Sequence, residues 1–220
     1  MQKTILCYGD SNTWGYIPNR LCLKLQRYAY RARWPSLLQA HLGTGYHVIA
    51  EGLNGRTTDL DYAIAPDRNG KRYLPICLYS HAPIDLVILA LGGNDLKTYF
   101  NRSAAEIRDG LAELIQIIQT SNYGKNFHGA PAILILAQSI PLPIAEKLSD
   151  PNGTLVFKNA VAKAKQLVEL YAQLAKETSC YFLDINKEIF PSKLDGIHLT
   201  KQGHKQLGLR LSQYIVTLKI

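Results

Sequence analysis

No apolar stretch in this 220-residue chain approaches the ~20 residues that a membrane-spanning helix requires. The longest runs, 86–91 and 132–137, fall far short, so membrane insertion is not expected. Cysteine is scarce, with four residues (Cys7, Cys22, Cys77 and Cys180) and no CxxC pair. Cys7 and Cys180 sit inside strand-like apolar runs, where a reduced, buried thiol is the default. No secretory leader fits either, because residues 5–8 read as a first core strand running directly into Gly9-Asp10-Ser11. These absences together point to a cytoplasmic protein. Internal repeats, low-complexity segments and linkers are also missing, so residues 1–220 are expected to form a single domain.

What is present is an ordinary globular mixture, 47% hydrophobic and 19% charged. A chain of this length can bury a sizeable core without disulfides or metals. Twenty-five basic residues against 17 acidic ones leave a net charge of +8. Alone, that excess suggests nucleic acid, an anionic surface or anionic substrates. The basic residues gather in 20–33, 68–72 and 158–165, without the basic–aromatic interleaving of single-strand binders. A solvated basic surface is therefore the reading, with no nucleic-acid partner.

Five runs, 5–8, 46–50, 86–91, 132–137 and 181–185, are apolar on both faces. Strands of a parallel sheet must be so when helices cover both sides. Helical patterns separate them. Trp34-Pro35-Ser36 opens one, with Leu37, Leu38 and Leu42 as its stripe and Gly43 as its stop. Ser103 and Glu106 have capping-box spacing ahead of Ile107, Leu111, Leu114, Ile115 and Ile118. The stretches 155–176 and 200–218 give two more amphipathic helices. Alternation of strand and helix predicts an α/β fold, a three-layer α/β/α sandwich. The less regular stretches are 17–33, 56–72, 123–131 and 138–153.

The strand runs lead into loops of unusual content. Gly9-Asp10-Ser11-Asn12 follows the first, Glu51-Gly52-Leu53-Asn54-Gly55 the second, Gly92-Gly93-Asn94-Asp95 the third and Gln138-Ser139 the fourth. In a parallel sheet all lie at the carboxyl edge, where open α/β sheets place ligands. Asp195-Gly196-Ile197-His198 precedes the last helix, which must return beside the first strand. Ser11 on a tight turn is a candidate nucleophile, His198 its base, and Asp195 the carboxylate that fixes the imidazole. The N–H groups of Ser11 and Gly55 and the side-chain amide of Asn94 would form an oxyanion hole. Asn12, Trp14, Tyr16 and Ile197 are candidate substrate-pocket residues, with Lys97 at the rim. Asp10 and Asp95 are expected to hold turns through backbone N–H groups, and the remaining histidines to be structural or solvated.

Each piece has a plainer reading. A Gly-Asp-Ser turn is commonly only a loop, Gly-Gly-Asn-Asp an Asx turn, and Asp-x-x-His a helix cap. Two other functions fit parts of the pattern. A metallophosphoesterase would use the Gly-Asp and Gly-Asn-Asp turns but needs histidine ligands beside them. A flavodoxin-like binding domain would need a phosphate-cradling first loop, which Asp10 disfavours.

These residues, in this order, resemble the SGNH (GDSL-type) hydrolase superfamily, whose blocks supply Ser, Gly, Asn and His. GDSNTWGY, EGLNGRTTDLD, YLPICLYSHAPIDLVILALGGNDLKTYF and DGIHLT look like its bacterial arylesterase/acyltransferase branch. The resemblance implies a flavodoxin-like five-stranded parallel sheet of order 2-1-3-4-5, a Ser11–His198–Asp195 triad and the oxyanion hole above. It also implies hydrolysis of small aryl or short alkyl esters, with acyl transfer to alcohols, by a homo-oligomer using no cofactor and no metal. Asn12 departs from the leucine of Gly-Asp-Ser-Leu, Gly55 stands where alanine also occurs, and the resemblance assigns no role to 138–153.

Overall fold

A computed structural model describes residues 2–19, 25–63 and 65–220. Cys22 and the beginning of the basic stretch 20–33 lie outside the described residues.

Five parallel strands form one sheet: β1 (Lys3–Gly9), β2 (Tyr46–Gly52), β3 (Leu86–Ala90), β4 (Ala132–Ala137) and β5 (Tyr181–Asp184). Their order is β2-β1-β3-β4-β5, as the resemblance implied. Side chains alternate across the pleat, so each strand feeds two cores. Ile5, Cys7, Leu86 and Ile88 face one side and pack with Trp34, Leu38, Leu207 and Leu211. Those partners come from α2 (Trp34–Leu42) and α6 (Lys201–Ile215). Leu6, Tyr8, Val87 and Leu89 face the other side, against α3 (Gly70–His81), α4 (Ala104–Gln119) and α5 (Ala160–Glu177). Cys7 and Cys77 are free, buried thiols, and Cys180 is free and half-buried.

Local signals set the helix ends. Pro35 lies in the first turn of α2, and Gly43 ends it with φ of +74°. Ser103 accepts the Glu106 N–H while Glu106 reaches back to the Ser103 N–H, completing the capping box of α4. The stretch 155–176 starts later than its apolar pattern, because α5 begins only at Ala160, after Asn159 at φ +61°.

The stretch 56–72 is less irregular than expected, since α3 begins at Gly70. Asn69 caps it by accepting the Arg72 N–H, and Pro75 sits inside it. Its inward residues Leu74, Cys77 and Leu78 are buried, but Tyr73, Ile76 and Tyr79 on its other faces are also apolar and exposed. Apolar residues all round the helix blur the one-sided stripe by which such helices are recognised.

Parallel register brings the strand ends level. Gly9 pairs with Gly52 on one side and Ala90 on the other. Any side chain at position 9 would put its Cβ 2.0 Å from Thr13 Oγ1, so glycine is required for the chain to turn back here. That turn is α1 (Ser11–Trp14), a single helical turn capped by the Asp10 carboxylate on the Asn12 N–H and closed by Gly15 at φ +93°.

Candidate active site

Ser11 opens α1 at the carboxyl edge of the sheet, and its Oγ lies 3.0 Å from His198 Nε2. On the other side of the ring, His198 Nδ1 lies 2.8 Å from Asp195 Oδ2. All three residues are buried, Asp195 completely. Asp195 Oδ1 accepts the N–H groups of Ile197 and His198, each at 3.0 Å. Burial by itself raises the Asp195 carboxyl, but the hydrogen bond and charge of His198, with those two N–H groups, outweigh it. The carboxyl is held below its ordinary value. The cap-like Asp-x-x-His spacing and the histidine–carboxylate pair thus coexist in one turn.

The loop 138–153 supports this turn from below. Leu142 donates its N–H to the Gly196 carbonyl at 2.9 Å. Gly196 has φ +74°, and a Cβ there would come 2.9 Å from the Ala145 backbone nitrogen, so position 196 accepts no side chain. Tyr16 stacks on the His198 ring with centroids 4.3 Å apart.

The third and second loops converge on the same place. Asn94 is buried, and its side-chain amide donates to the Arg56 carbonyl at 3.1 Å, which leaves its second N–H available. Gly55 has φ +79° and, like Asn94 and Ser11, lines a cavity of about 1030 Å³. Arg56 is a residue that sequence reasoning passed over. Its guanidinium is buried, donates to the Gly9 carbonyl at 3.0 Å and to the Glu51 carbonyl, and lies 4.1 Å from the centre of the Tyr8 ring. It pins the loop carrying Gly55 to the ends of β1 and β2.

Asp95 works similarly. It is fully buried and accepts the Thr58 N–H at 3.1 Å and the Thr58 hydroxyl at 2.6 Å. Burial raises its pKa to about 6, against the pull of Thr58 and Arg102. Asp10 accepts the Asn12 N–H at 3.0 Å and the Gln138 side-chain amide at 2.9 Å. Both carboxylates are therefore engaged inside the protein, where a two-metal phosphoesterase would need them as ligands.

The proposed pocket residues divide. Asn12, Tyr16, Lys97 and Ile197 line the cavity. Lys97 is tied to Tyr62, with Nζ 2.6 Å from the phenolic oxygen. Trp14 is not among the described residues that line this cavity. Its backbone is pressed against Gly52, where a Cβ would meet Trp14 N at 2.2 Å, and its ring lies under Arg27 at 4.5 Å. Tyr62, Tyr99 and Phe100 form an aromatic cluster in the cavity wall that the sequence did not single out.

Among the described residues, one group of three metal-type donors lies within mutual reach: Glu51, Cys77 and His81. His81 Nε2 sits 2.8 Å from Glu51, burial pushes the Cys77 thiol up to about 12, and the Arg56 cation is close by. That is a histidine–carboxylate hydrogen bond over a buried thiol, separate from the Ser11 turn.

Residues 7–206 match the profile of the GDSL-like lipase/acylhydrolase family. The chain belongs to that family. It is thus a hydrolase of the SGNH/GDSL type, an esterase or acylhydrolase, and not a binding module of similar fold. Its structure is similar to that of an aryl esterase from M. smegmatis, at 35% identity and TM-score 0.90, covering 98% of this chain and 99% of that one. It is also similar to a carbohydrate acetylesterase from Sinorhizobium meliloti, at 37% identity and TM-score 0.91, with the same coverage. A member of the lipolytic G-D-S-L family from Veillonella parvula shares the fold at 14% identity and TM-score 0.69, covering 98% of this chain and all of that one. No curated protein matches the chain. No helix among the described residues is long and apolar enough to cross a membrane.

Proposed function

We propose that the protein is a serine esterase acting on small aryl or short-chain alkyl esters through an acyl-enzyme on Ser11. The hydrogen-bonded line Ser11–His198–Asp195, at 3.0 and 2.8 Å, carries this reading. A serine hydroxyl is a weak nucleophile until a neighbouring base takes its proton. His198 is in reach to do so as Ser11 attacks the ester carbonyl. Asp195, kept anionic, holds the Nδ1–H tautomer and stabilises the imidazolium. The Tyr16 ring, stacked on His198, holds the plane of the imidazole.

The carbonyl oxygen, now an anion, is received by the N–H groups of Ser11 and Gly55 and the free N–H of Asn94. His198 then protonates the leaving alcohol, and water or a second alcohol releases the acyl group. The cavity has room beyond the reacting atoms for an aryl or sugar alcohol, with Tyr62, Tyr99 and Phe100 as a stacking surface. The two close structural relatives, an aryl esterase and a carbohydrate acetylesterase, support both alcohol classes. We read residues 1–220 as one catalytic domain that works as a homo-oligomer.

A series of p-nitrophenyl esters and acetylated sugars, run with and without an alcohol acceptor, tests this. The expected outcome is highest kcat/KM on acetyl esters and a transfer product that grows with acceptor. Turnover that rises steadily with acyl length contradicts the short-chain assignment, and absence of transfer product contradicts the acyl-transfer part.

A further inference from the structure

Asn12 occupies the position next to the candidate nucleophile, where the Gly-Asp-Ser-Leu motif has leucine. Its side chain turns to the loop that carries His198. Asn12 Oδ1 accepts the Leu199 N–H at 2.9 Å, and Asn12 Nδ2 donates to the Ile197 carbonyl at 3.4 Å, a longer and weaker bond. The two backbone groups it holds are those immediately before and after His198. One amide therefore brackets the histidine and ties it to the turn bearing Ser11, across 187 residues of sequence.

We infer that Asn12 is a positioning residue, setting the Ser11–His198 separation by clamping residues 197 and 199 to the nucleophile turn. This rests on the reading of Ser11 and His198 as nucleophile and base. Asp195 fixes the imidazole within its own loop. It does nothing to fix that loop against α1, and among the hydrogen bonds described the Asn12 pair spans that gap directly beside the Ser11–His198 contact. The Leu199 side is the stronger half, since Leu199 is buried and a buried N–H left without its acceptor is costly. A leucine at position 12 offers neither an acceptor nor a donor. Asn12 also lines the cavity, so the alternative is a wall that touches substrate and holds nothing.

The two roles separate by experiment. Inactivation by a fluorophosphonate reads the reactivity of the serine, and p-nitrophenyl acetate kinetics read kcat and KM. Asn12→Leu is expected to slow inactivation about 10-fold or more and to lower kcat, with KM within about two-fold of wild type. Asn12→Asp keeps the acceptor for the Leu199 N–H and should recover most of the inactivation rate. Its added negative charge beside His198 should also move the acidic limb of the kcat/KM profile to higher pH. Wild-type inactivation rates in Asn12→Leu, with the change confined to KM, overturn the inference and leave a pocket wall. Failure of Asn12→Asp to recover, with its fold intact by circular dichroism, also overturns it. A wild-type protein that never reacts with the probe overturns the Ser11 reading itself, and the inference with it.

Discussion

The side-chain amide of Asn94 and the backbone carbonyl of Arg56 meet at 3.1 Å, joining the loop after β3 to the loop after β2. One amide proton is committed to that bond, so the direction of the other is fixed before any substrate arrives. A donor fixed in advance stabilises developing charge without reorganisation during the reaction.

Asn94→Ala is therefore expected to lose roughly 2.7–4 kcal/mol of transition-state stabilisation, seen mainly as a 100- to 1,000-fold fall in kcat. Steady-state kinetics on p-nitrophenyl acetate give the number. A kcat within a few-fold of wild type removes Asn94 from the oxyanion hole.

Arg56 is expected to matter for stability. Its buried guanidinium donates to the Gly9 and Glu51 carbonyls and lies over Tyr8. Lysine has no planar fork with which to reproduce this. With hydrogen bonds to charged groups contributing about 1.5–3 kcal/mol each, Arg56→Lys should destabilise the fold by about 2–4 kcal/mol. Urea unfolding at neutral pH measures it, and an unchanged midpoint shows that the guanidinium does not anchor the loop.

His204 gives a pH prediction. It is fully buried, and its Nδ1 accepts the Trp34 N–H at 3.3 Å. Burial first, then the positive charges of His198 and Arg33, depresses its pKa to about 4. In the unfolded chain the ring takes a proton near pH 6.5. Its contribution to stability is complete above pH 6.5 and is lost as pH falls toward 4, to the extent of roughly 3 kcal/mol. His204→Asn keeps an acceptor for Trp34 and cannot titrate. The loss of stability between pH 6.5 and 4 should be shallower in that variant than in wild type. Parallel curves for the two proteins rule out His204 as the cause.

The sheet was legible because β1, β3 and β4 are apolar on both faces and end in glycine- or alanine-bearing edges. The capping box of α4 was legible because both partners lie within four residues of sequence. α3 was not, since Pro75 interrupts its pattern and Tyr73, Ile76 and Tyr79 surround it with apolar side chains. At the site, Ser11, Gly55, Asn94, Asp195 and His198 each follow a strand or precede the last helix, so topology alone gathers them. Arg56 gave no such signal, because its partners are carbonyls on two other strands. Trp14, three residues beyond Ser11, is held by the close approach of Gly52 to its backbone and by the Arg27 cation over its ring, neither of which its sequence position reveals.

The most direct test of Ser11 as the nucleophile is an acid quench during turnover of p-nitrophenyl acetate, followed by peptide mass mapping. The expected result is an acetyl group on the peptide containing Ser11, localised to Ser11, and no turnover by Ser11→Ala. An unmodified Ser11 during sustained turnover, or a Ser11→Ala variant that keeps most of the rate, contradicts it.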